Sequence, residues 1–139
     1  MRPKFPQVSI AILGVVSAAY AVAPFATISF EKEIEGTDKT TPITVARLDD
    51  LVCMKIRDVS TPDGDHALRV VIYDGSGREV YQSVRTVTPS NGKWRHTVCY
   101  GFNLRRDSPG TWWYVAELDD QPLVSKDLLV SPTKKPGAG

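Results

Sequence analysis

Acidic side chains are missing from the first thirty residues, where Arg2 and Lys4 are the only charged ones. Residues 5–30 carry no charge at all, a run of 26 residues that holds Val8, Ile10, Ile12, Leu13, Val15 and Val16 and continues to Phe25 and Ile28. Such a stretch meets a bilayer, briefly as a signal peptide or permanently as a spanning helix, and residues 31–139 then lie beyond that membrane. Cysteine is almost absent. Cys53 and Cys99 are the two in the chain, and none lies near residues 17–24, which excludes a lipid-modified cysteine as the anchor. An excess of charge of either sign is missing as well. The formal net charge is +1, and setting Arg2 and Lys4 aside leaves fifteen basic against sixteen acidic side chains, a net of −1. That balance argues against nucleic acid as a partner, because nucleic acid requires a basic patch.

Two readings of the leader compete. A secretory signal has a basic start, an apolar core and small residues at the cut. Arg2 and Lys4 supply the start, and Ala19-Tyr20-Ala21 or Ala21-Val22-Ala23 the cut, the second disfavoured by Pro24. Against cleavage, the apolar run continues to Phe30. As a helix its 26 residues reach roughly 39 Å, enough to cross a ~30 Å hydrocarbon core with tilt. The preferred expectation is therefore a retained anchor over residues 1–30. Gly14, Ser17, Ala18 and Ala21 are the small residues that let it pack on other spanning helices. Basic residues before the run and acidic ones after it put the N-terminus in the cytoplasm and residues 31–139 in the periplasm of an inner membrane.

Beyond the leader there is room for one domain of about 100 residues with its own core. Residues 31–41 read as a linker or a first strand, and residues 42–45 as a short strand tolerating Pro42 at its start. In residues 51–59, Val52, Met54 and Ile56 point one way and Cys53, Lys55 and Arg57 the other. Residues 67–73 and 79–87 form a hairpin across Asp74-Gly75-Ser76-Gly77, with Leu68, Val70 and Ile72 on one face. Residues 93–104 alternate again, sending Trp94, His96, Val98, Tyr100 and Phe102 to one side. Residues 111–118 and 123–130 close the set across Asp119-Asp120-Gln121-Pro122, and residues 132–139 are a polar tail. Strand after strand at a spacing of 8–12 residues predicts an all-β antiparallel sandwich over residues 42–131.

The strand order, the length and the closing hairpin from Trp112-Trp113-Tyr114 to Leu123-Val124 resemble an immunoglobulin-like or fibronectin-III-like domain. The resemblance covers about residues 42–131 and departs from true immunoglobulin domains in having no tryptophan shortly after Cys53. In an oxidising compartment an isolated cysteine pair favours a disulfide, a metal site being the weaker alternative. Closing a loop of about 45 residues stabilises by ~3–4 kcal/mol in the chain-entropy model. In a sandwich of this order residues 51–59 and 93–104 would be neighbours in one sheet. Because each cysteine faces away from its strand's apolar set, the bridge would join adjacent strands on the outside; a bridge between the two sheets is the alternative.

No residue pattern calls for catalysis or a cofactor. Gly75-Ser76-Gly77 joins two strands with no helix following, so it reads as a turn rather than a phosphate loop. Asp63-Gly64-Asp65-His66, Asp74 with Glu79, and Asp119-Asp120 read as charged turns, and His96 as a core or rim histidine. Alternation sends Trp112, Tyr114, Ala116 and Leu118 inward and Trp113, Val115 and Glu117 outward, and exposed large aromatics mark binding surfaces. Trp113 and Val115, with nearby Arg105 and Arg106, are thus the expected partner contacts. The expectation is a non-enzymatic, single-pass accessory subunit, its partners the bilayer and other membrane subunits of a respiratory, photosynthetic or secretory assembly. A secreted periplasmic binding module with a cleaved signal is the alternative.

Overall fold

The computed structural model describes residues 25–133. Gly14, Ser17, Ala18 and Ala21, with the cleavage motifs and residues 134–139 of the tail, lie outside the described residues. Among the described residues no helix is long and apolar enough to cross a membrane. Nine strands follow one another among the described residues: β1 Thr27–Glu33, β2 Thr40–Ile43, β3 Val45–Arg47, β4 Leu51–Asp58, β5 His66–Tyr73, β6 Glu79–Val87, β7 Trp94–Gly101, β8 Gly110–Leu118 and β9 Gln121–Ser131. They form two sheets, β2-β1-β4-β7 and β3-β9-β8-β5-β6. Every pairing is antiparallel except that of β3 with β9.

Alternation builds the core. Val52, Met54 and Ile56 from β4 meet Leu68, Val70 and Ile72 from β5 and Trp112, Tyr114 and Ala116 from β8, all of them buried. Each large aliphatic side chain removed from water contributes about 1.5–3 kcal/mol. An aromatic knot closes the end nearest the β7–β8 loop, where the Phe102 ring stands edge-on to Trp112 at 4.9 Å between centroids. At the other end the Trp94 indole donates to the Thr61 hydroxyl at 2.8 Å, and Thr61 donates to the buried Asp58 carboxylate at 2.8 Å.

Two boundaries differ from the sequence expectation. The sandwich begins at Thr27, within the stretch assigned to the anchor: Ile28 (5% exposed) and Phe30 (3%) belong to the core, and β1 pairs with β4 from Thr27↔Arg57 to Lys32↔Val52. The last part of the apolar run is thus an inner strand of the first sheet. Residues 42–45 are not one strand. Ile43 ends β2 at the edge of the first sheet, and Val45 starts β3 in the second, so the chain changes sheets at Thr44. Pro42 is accommodated because β2 is an edge strand.

Cys53 and Cys99 form a disulfide. They are directly opposed on β4 and β7, with Cα atoms 3.9 Å apart. The bridge therefore lies within one sheet, as the outward placement of both cysteines predicts, and Trp94 points to the opposite face.

Candidate functional site

The outward face of the five-stranded sheet is set by the same alternation that fills the core. Its register places Tyr73 beside Trp113 and Trp113 beside Asp127, then Val71 beside Val115 and Val115 beside Ser125. One pair further along, the Arg69 guanidinium meets Glu117 at 3.0 Å and Gln82 at 2.9 Å. Trp113 and Tyr73 are half-buried, and burial pushes the Tyr73 hydroxyl above its ordinary pKa, helped by Glu79. Towards the sheet's two edges Val84 (53%), Leu129 (50%) and Val45 (47%) stand exposed on this face.

The expected contacts divide. Trp113 lies on the face as alternation predicts. Val115 also points outward but is only 1% exposed, so it is not a contact surface. It is directly opposed to Val71 on β5, which is equally buried. Arg105 and Arg106 sit beyond the start of β8, in the β7–β8 loop. Arg106 is spent on that loop and the end of β7: it donates to Asp107 at 3.2 Å and to the Tyr100 hydroxyl at 2.9 Å. Asp107, buried, also accepts the Tyr100 hydroxyl and the Asn103 amide. The Arg106 carbonyl accepts from Arg78 at 3.5 Å, which ties the loop to the β5–β6 turn. Arg105 remains exposed.

The charged turns are structural. Burial raises the pKa of Asp74, but hydrogen bonds from the Arg78 amide and from the Ser76 hydroxyl and amide outweigh it and hold the carboxyl below its ordinary range. Asp63 accepts the Gly92 amide and Asp65 the Thr88 hydroxyl. His66 Nδ1 lies 2.5 Å from Asp119 and Nε2 lies 2.7 Å from the Pro62 carbonyl. The nitrogen that a general base would turn towards a nucleophile is thereby occupied. His96 sits at the rim opposite Ile56, and burial, then Arg85, lowers its pKa.

One region escaped the sequence reading. Phe25, Thr27, Arg57, Asp58, Val59, Lys93, Trp94 and Arg95 line an open groove of about 670 Å³ where β1 begins. The residues come from three separate strands and the segments flanking them, and only the register Thr27↔Arg57↔Arg95 gathers them.

No family model matches the chain, and no curated protein matches it. Among solved structures it is similar to an immunoglobulin-like protein from Pseudomonas aeruginosa, at 14% identity over 75% of this chain and 91% of that one, with a TM-score of 0.48.

Proposed function

We propose that the chain is a non-enzymatic accessory subunit, anchored by its leader in the inner membrane. Its immunoglobulin-like sandwich then docks in the periplasm on a larger membrane assembly. The observation that carries this is the outward face of the second sheet, with the Tyr73–Trp113 row flanked by exposed Val84, Leu129 and Val45. A half-buried tryptophan beside a tyrosine on a firm sheet suits an interface anchor, since such residues dominate binding energy. With β1 taken by the sandwich, residues 5–24 remain for the anchor; as a helix they would span about 30 Å, the thickness of the hydrocarbon core.

The experiment is co-purification in mild detergent from native membranes. Trp113→Ala should weaken retention of the co-purifying subunits by about 2 kcal/mol, roughly thirtyfold, with the sandwich still folded. Wild-type recovery of partners by a folded variant would sink the docking role. The second reading is a secreted binding module, and it is favoured by one observation: β1 starts four residues after Ala23, so a cut there removes no strand. Intact mass decides between the two.

A further inference from the structure

The end of the sandwich at which the chain arrives from its leader carries a cluster of cations that the docking face does not use. Thr27 pairs with Arg57, and Arg57 is directly opposed to Arg95 on the neighbouring strand. Like charges so placed repel. Among the described residues, Arg57, Arg95 and Lys93 have no acidic partner at ion-pair distance. The acids nearby are already engaged. Asp58 turns inward to Ser60 and Thr61, Asp63 takes the Gly92 amide, and Glu31 takes Lys55 and Thr40. Beside the three cations Phe25 stands 53% exposed. Immediately before it lies the charge-free sequence of residues 5–24.

We infer that this groove seats the phosphates of anionic phospholipid headgroups and holds the sandwich against the bilayer that contains its leader. The inference rests on the anchored reading above. Charge complementarity selects phosphate, and the position at the end of an apolar leader selects the phosphate of a lipid surface. An aromatic ring at headgroup depth is where Phe25 would be stable, and each cation near an anionic surface favours the seated state by about fivefold.

The test uses the full chain reconstituted into vesicles of phosphatidylcholine, alone or with one third phosphatidylglycerol. Amide hydrogen exchange is followed at residues 57–59 and 92–95. Exchange should slow on the anionic vesicles and return at high salt. Arg57→Gln, Lys93→Gln and Arg95→Gln should each forfeit about fivefold of the protection. Exchange in β5 and β8 should stay unchanged, showing that the variants fold, and all should remain in the pellet after carbonate washing. Equal exchange on both kinds of vesicle, with the chain still resistant to carbonate, overturns the groove and leaves the anchor standing. Release by carbonate overturns the anchor instead. In that case protection that still depends on anionic lipid supports the groove, and its absence overturns it.

Discussion

His66 is held at both ring nitrogens, by the Asp119 carboxylate and by the Pro62 carbonyl, a pairing that only the imidazolium satisfies with two donors. Asp119 first, then the Pro62 carbonyl, raises the His66 pKa. His66 first, then the Ala67 amide, lowers that of Asp119. The contribution of His66 is complete below its unfolded value of about 6.5 and is lost as pH rises through the raised folded value. The contribution of Asp119 is present above its ordinary carboxylate value and is lost as pH falls through the lowered one. The tie is strongest between those two limits. His66→Gln should therefore flatten the decline in melting temperature above about pH 6.5. A variant whose melting curve tracks wild type across that range would show that the pair stabilises nothing.

At the level of elements, the Cys53–Cys99 bridge joins β4 to β7, which is an edge strand of its sheet. Its loss in the Cys53→Ala/Cys99→Ala double variant should lower unfolding stability by about 3 kcal/mol. Urea titration with and without reductant checks this: reductant should shift the wild type and leave the variant unmoved. The strands β4, β5, β7 and β8 were legible because one face of each is buried, so apolar residues recur every second position, whereas β6, with only Val87 buried, was legible as the return from the Asp74–Gly77 turn. The pairing of the cysteines in one sheet followed from the same period. β1 was hidden because Ile28 and Phe30 continue the composition of the leader, and only Ser29 between them marks a change of period. The sheet change at Thr44 was illegible for another reason: β3 finds its partner at Leu129–Ser131, and no local pattern encodes a strand so distant. Trp113 was placed correctly by alternation. The burial of Val115 and the gathering of Arg57, Lys93 and Arg95 both depend on cross-strand register, which a linear pattern leaves open.

For the whole molecule, the chain arrives at one end of the sandwich and leaves at the other. Thr27 lies beside Arg57 and Arg95, whereas Ser131 lies beside Arg47, next to the end that carries the β7–β8 loop. β9, 11 residues long, would extend about 35 Å if straight. Arg105 therefore stands at the end remote from Thr27, and the Trp113 row nearer to that end than to the groove. The domain boundary has a direct check. A chain starting at Pro24 should fold with the wild-type melting temperature, whereas one starting at Ile34 loses β1 and the Ile28 and Phe30 contacts and should not fold cooperatively. Equal melting of the two would place the start of the domain later than Thr27.

The parallel pairing of β3 with β9 sets a timetable. A polypeptide delivered amino end first releases β3 early, yet the strand that flanks it is the last to emerge. Until then β8 offers an open edge and the space for Leu128 and Val130 is unfilled, while both sulfurs are already out. Oxidation of the pair can thus precede completion of the second sheet, so that the half-made product is stapled before it is sealed.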